Sequence, residues 1–290
     1  MPLKSTVFAR WKWLTGAVAA MVALLAIAAG VSAAGVSGTK AVSRPPTAAS
    51  GFDDRPRAEI AAEALLLEVE PVGDFGFVLY DSARDGYLLS HRSDAVHFSQ
   101  SIAKLLIAVS ALQAGMDSAA VTEMLSRSDD WIASELWEQL DGPAVVEDQV
   151  EAMGLEHTAP AEEWVRWGDT LTSASDVVRV YEHLLEELPE RERAIVFAAL
   201  EGMADVGADG FDQTFDIPGA AVGRPWAVKQ GWGCCKPDRF LVSTGTVGPD
   251  HRYIVAIFGA WDERQVDEAQ AAAEMTALAE AVVGFIPGSV

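Results

Sequence analysis

Strand-like and helix-like stretches follow one another here in an order that leaves few folds open. Residues 75–80 and 87–89 are short apolar runs joined by 81–86, where Asp85-Gly86 suits a hairpin turn. Helical periodicity predicts one helix before that hairpin, over 56–68. It predicts more after it, over 101–112, 121–140, 143–153, 172–188 and 190–203. Three further strand-like runs, 226–231, 240–247 and 253–259, come late, and an alanine-rich helix over 262–283 closes the chain. Strands grouped towards both ends, with helices between, imply an α+β fold. Terminal helices would cover a five-stranded antiparallel sheet, and the helical block would form an inserted all-helical lobe.

Three short stretches punctuate that frame. Ser101-Ile102-Ala103-Lys104 opens a long helix, Ser128-Asp129-Asp130 lies within the next, and Lys229-Gln230-Gly231 lies in a strand. A serine one helical turn before a lysine sets a nucleophile beside a base that needs no histidine. The spacing alone is weak, and Ser37 and Lys40 repeat it. Context adds more. Leu105, Leu106 and Ile107 follow Lys104, and burial encourages an amine to shed its proton. Lys229 stands in an apolar strand, where an unpaired charge is costly, and Gly231 suits a strand edge that another backbone approaches closely. The competing readings are a plain helix cap for Ser101 and a polar turn at a helix junction for 126–130.

Taken in order, these stretches resemble the serine β-lactamase and penicillin-binding D,D-peptidase superfamily, over roughly residues 55–285. Trp167-Gly168-Asp169-Thr170, leading into Thr172-Ser173-Ala174, and Val228-Lys229-Gln230-Gly231-Trp232 are similar to further stretches of that family. The resemblance implies an exported serine hydrolase or acyltransferase that forms an acyl-enzyme on Ser101. Lys104 would take the serine's proton, while Ser128 and Lys229 assist. The amides of Ser101 and Trp232 would form the oxyanion hole, and Asp130, Gln230, Gly231 and Trp232 would contact substrate. Cell-wall peptides, β-lactams or related esters and amides are the substrates implied, with no cofactor.

The chain also departs from the family. Asp130 stands where the family has asparagine, and a carboxylate there would hold Lys104 charged. Gln230 replaces a hydroxyl residue. The loop 159–169 is short, and neither Glu162 nor Glu163 has the flanking pattern of the family's deacylating glutamate. These departures support a second reading, a catalytically degenerate module that binds peptidoglycan or a protein partner. Trp131, Trp137, Trp164 and Trp167 near the expected cleft read first as core residues.

The ends and the charge bound the rest. Lys4, Arg10 and Lys12 precede an uncharged run from Trp13 that, counted to Val36, is 24 residues long. That length can span a bilayer, and Val31-Ser32-Ala33 offers a cleavage site. Residues 1–39 are expected to be a signal anchor or signal peptide, 40–54 a linker, and 55–290 the hydrolase-like domain outside the cytoplasm. No cysteine follows the run, which excludes a lipoprotein anchor. Beyond residue 40 the chain carries 17 of its 21 bases against all 43 acids, which disfavours nucleic acid as a partner. The five histidines show no metal spacing, and no dinucleotide or phosphate loop occurs. Cys234 and Cys235 are adjacent, and with α-carbons about 3.8 Å apart two reduced thiols are expected rather than a bridge.

Overall fold

The computed structural model describes residues 54–234 and 238–288. Helix α1 (Arg55–Val69) has proline in its first turn, where a missing N–H costs nothing, and ends on Glu70 in the left-handed region. Strands β1 (Asp74–Asp81) and β2 (Gly86–His91) form the expected hairpin. The late strands β5 (Trp226–Gly233), β6 (Asp238–Val247) and β7 (Tyr253–Asp262) complete a five-stranded antiparallel sheet in the order β2-β1-β7-β6-β5. A two-stranded ladder of β3 (His97–Phe98) and β4 (Leu171–Thr172) lies apart from it. The α+β architecture is the one the sequence order implies.

Both faces of the sheet are covered, and side-chain alternation divides its residues between two cores. Phe77 and Leu79 of β1, with Val255 and Ile257 of β7, face α1 and α9 (Glu268–Gly284), which contribute Ala62, Leu65, Met275 and Leu278. Their neighbours Val78, Tyr80, Ile254 and Ala256 face the helical lobe. That lobe comprises α2 (Ala103–Gln113), α3 (Ser118–Ser126), α4 (Asp130–Gln139), α5 (Ala144–Met153), α6 (Ala174–Glu186) and α7 (Glu190–Glu201). A four-residue helix, α8 (Ile217–Ala220), precedes β5.

Three expected helices begin differently. The stretch 121–140 is two helices, because Ser128 takes φ 54° and cannot continue α3. Asp129 then caps α4, its Oδ1 accepting from the amides of Trp131 and Ile132. The helix at 101 opens as a 3-10 turn, Gln100–Ile102. Helix α9 starts at Glu268 rather than 262, since Asp262 folds a turn with Arg264 and Gln265 while Asp267 and Gln270 form a capping box. The expected reduced thiols are corrected as well. Cys234, just after β5, is disulfide-bonded, and Cys235 lies outside the described residues. The N-terminal segment expected at 1–39 lies outside the described residues, as does the linker up to residue 53. No helix among the described residues is long and apolar enough to cross a membrane.

Candidate active site

The three motifs meet at the junction of β5 with the helical lobe. Ser101 sits in the 3-10 turn that feeds α2, preceded by Gln100 in the left-handed region at φ 50°. It is not a helix cap. Its Oγ instead accepts a hydrogen bond from Lys104 Nζ at 2.8 Å. Lys104 lies in the first turn of α2 and is fully buried, one turn from Ser101 as the spacing requires. The strained bend at Ser128 turns its carbonyl and hydroxyl towards Lys104 Nζ, at 3.1 and 3.2 Å. From the other side Lys229 Nζ donates to the same Ser128 Oγ at 2.8 Å and to its neighbour's carbonyl, Gln230 O, at 2.7 Å. The result is a continuous line: Ser101 Oγ, Lys104 Nζ, Ser128 Oγ, Lys229 Nζ.

Asp130 closes the ring around Lys104, with Oδ1 2.6 Å from Nζ. Four oxygens thus surround an amine that has at most three protons, so the cluster suits exchange of protons between amine and hydroxyls. Burial lowers the pKa of Lys104, and Asp130 pulls it back up. Lys229 falls well below its ordinary value, first through burial and then through the like charge of Lys104.

Strand β5 passes close against the nucleophile. A Cβ on Gly231 would come within 3.0 Å of the Ser101 amide nitrogen, so glycine is needed there. Trp232 lines a cleft of about 300 Å³ together with Ser101, Asp130, Trp167 and Asp169. Its indole stacks on Phe211 at a centroid distance of 4.4 Å and donates to Asp209 Oδ2 at 2.9 Å.

Gln230 does not join this group. Its side chain is fully buried, and Nε2 donates to the carbonyls of Gln213 and Phe215 at 3.1 and 2.7 Å. The expected substrate contact is corrected: strand alternation turns residue 230 away from the face that carries Lys229. Glu162 and Glu163 are exposed. The place beside Lys104 on that loop belongs to Trp167, whose ring lies 4.5 Å from Nζ and whose Nε1 donates to Ser134 Oγ at 3.1 Å. Trp137 is a core residue as expected, whereas Trp131 is 81% exposed at the start of α4.

Sequence reasoning missed the segment 203–216, which braces the site. Ala204 N and Ala208 N donate to the carbonyls of Ser126 and Arg127, Gln213 Nε2 donates to Ala204 O, and Asp209 holds Trp232. Its glycines and polar residues read as a plain loop, and nothing periodic reveals its partners.

The sheet order and the helical lobe together are the β-lactamase fold. A β-lactamase from Burkholderia vietnamiensis superposes with a TM-score of 0.66 at 19% identity, covering 79% of this chain and 98% of that one. A class A β-lactamase from Mycobacterium abscessus gives 0.63 at 18% identity, over 78% and 98%. A mutant of PBP-A, in an acyl-enzyme complex with penicillin G, gives 0.62 at 16% identity, over 76% and 94%. In sequence, the chain is similar to a mycobacterial protein named "Putative lipoprotein LppW", from Mycobacterium tuberculosis and Mycobacterium bovis. They share 37% identity over 204 residues, 66% of this chain. The chain spans 64% of the length of those relatives. No family model matches it.

Proposed function

We propose that this protein is an exported serine hydrolase or acyltransferase that forms an acyl-enzyme on Ser101 with a cell-wall peptide, a β-lactam or a related ester or amide. The observation that carries the reading is the unbroken line of buried groups from Ser101 Oγ through Lys104 and Ser128 to Lys229, each step 3.2 Å or less. Ser101 attacks the carbonyl, and its proton passes to Lys104. Ser128, hydrogen-bonded to both lysines, is placed to hand its proton to the leaving group and to take back from Lys104 the proton that came from Ser101, while the Lys229 amine holds the hydroxyl in line. The Ser101 amide, with the amide of Trp232 on the neighbouring strand, would receive the oxyanion. Asp130, Gly231 and Trp232 would line the substrate's path. LppW's lipoprotein name fits an exported, membrane-attached protein, and we place this chain likewise outside the cytoplasm, attached through its uncharged N-terminal run.

The second reading is a binding module that has kept the fold and lost turnover. The Lys104–Asp130 ion pair and the tryptophan in place of a loop carboxylate favour it. Labelling with a fluorophosphonate and with fluorescent penicillin, read by intact mass, separates the two. An adduct on the wild type that is absent from Ser101→Ala supports the enzyme. No adduct from either probe defeats it in favour of the binding module.

A further inference from the structure

We propose that Asp130 is the general base of hydrolysis, activating the water that releases the acyl group from Ser101. This rests on the acyl-enzyme reading above and names a further catalytic residue at that same site.

An acyl group on Ser101 Oγ is an ester, and water attacks an ester slowly unless a base takes its proton in the transition state. That base must touch both the water in the cleft and a group that can return a proton to Ser101. Lys104 is 0% exposed, and the Trp167 ring covers its amine from the loop side at 4.5 Å, so no water in the cleft touches that amine. Asp130 meets both needs. Its Oδ1 lies 2.6 Å from Lys104 Nζ, while its side chain is 67% exposed and lines the same cleft as Ser101. Its Oδ2 has no hydrogen-bond partner among the described residues. The bend at Ser128 and the cap at Asp129 fix where Asp130 leaves the start of α4. Ser101 Oγ and Asp130 Oδ1 flank one amine, at 2.8 and 2.6 Å. Oxygens that close lie within the span of a single bridging water, whose own hydrogen bonds are each about 2.8 Å long. Asp169 lines the cleft too, but Arg166 holds both of its oxygens.

Asp130 takes a proton from the water as the water's oxygen bonds to the acyl carbon. The tetrahedral intermediate then collapses, and the bond between that carbon and Ser101 Oγ breaks. Asp130 passes its proton to Lys104 across their contact, and Lys104 passes one to Ser101 Oγ across theirs. The free acid leaves, and serine, lysine and carboxylate return to their starting states. The ion pair therefore acts in opposite senses in the two half-reactions. In acylation the carboxylate is a burden, because it raises the pKa of the lysine that must accept a proton. In hydrolysis it is the base.

The lifetime of the acyl-enzyme tests this. A phenylacetyl thioester loads Ser101, or benzylpenicillin where only the latter labels the protein. Excess donor is removed by desalting, and loss of the adduct near neutral pH is followed by intact mass. Asp130→Asn should acylate at least as fast as wild type, which also shows that it is folded, yet keep its adduct about a hundredfold longer or more. Asp130→Glu, which retains a carboxylate, should fall between the two. Hydroxylamine, a nucleophile that needs no base, should strip the adduct from wild type and Asp130→Asn at similar rates. Equal adduct lifetimes in wild type and Asp130→Asn, whether both short or both long, overturn the inference and leave the acyl-enzyme reading intact. So does an Asp130→Asn adduct that hydroxylamine strips far more slowly, since the residue would then act by shaping the cleft. No adduct on any of the three proteins from either donor defeats the acyl-enzyme reading and this inference with it.

Discussion

The two faces of β5 carry two buried polar systems of opposite kind. On the lobe side Lys229 joins Ser128 and Lys104 in the chain of hydrogen bonds that the proposed reaction would use. On the other side, one residue along, Gln230 ties the strand to the carbonyls of Gln213 and Phe215, beside its cross-strand neighbour Ser243. The first system holds strained, desolvated charge. The second fixes the strand that carries that charge. Adjacent residues of a motif thus serve different ends, because a strand sends successive side chains to opposite faces.

Breaking each side separately tests that division. Lys229→Met is expected to cut Ser101 acylation by about 10²–10³-fold, the usual scale when a proton-transfer step loses its alignment. Its fold should hold, since the apolar stem remains and a desolvated amine is gone. Stopped-flow or mass-resolved acylation measures it, and a rate within a few-fold of wild type would remove Lys229 from the mechanism. Gln230→Leu should do the reverse. It strands two carbonyl acceptors in the interior at a cost of about 2 kcal/mol, lowering the melting temperature by about 4–8 °C. Acylation by the folded fraction should stay near wild type. A large rate loss with unchanged melting would return residue 230 to the substrate's side.

Much of this was legible in the sequence. The order of strands and helices fixes the architecture. One helical turn sets Ser101 beside Lys104, while the bend at Ser128 and strand β5 bring Ser128 and Lys229 to them through the fold. What could not be read depends on tertiary partners. The direction of Gln230 follows from which face of β5 the lobe covers. The brace at 203–216 has no period to betray it. Trp167 is buried with the lobe core, as Trp137 is, but its place beside Lys104 leaves no mark in the sequence. The break at Ser128 overrides a helical pattern that is otherwise continuous from 121 to 140.

Asp130 is where the lobe-side system can be tuned rather than broken. Burial already pushes the Lys104 amine down, and the carboxylate opposes that effect. Asp130→Asn keeps the shape and removes the charge, so the lysine should lose its proton at lower pH. The acidic limb of the acylation profile should move to lower pH. The rate near neutrality should rise in step with the fraction of neutral amine, by about three- to tenfold. An unmoved profile would mean that Lys104 is not the group whose ionisation limits the reaction.

The smallest effect belongs to the bracing side, at Asp216. This carboxyl is fully buried, with φ 61°, and neither oxygen has a hydrogen-bond partner among the described residues. Ser243 and the Ile217 amide approach closely enough to offset part of the burial without reaching bonding geometry, and the pKa stays well above the usual carboxylate range. A folded state that keeps this proton binds it more tightly than the unfolded chain does. Its stabilising effect is complete below about pH 4, where the unfolded aspartic acid is also protonated, and fades as pH rises towards the folded value. Asp216→Asn cannot ionise. It should match wild type near pH 4 and exceed it by about 1 kcal/mol or more at pH 8, seen as a widening gap in denaturant midpoints. A gap that is constant with pH would mean that Asp216 is ionised in the fold. The brace behind β5 would then need a buried positive partner.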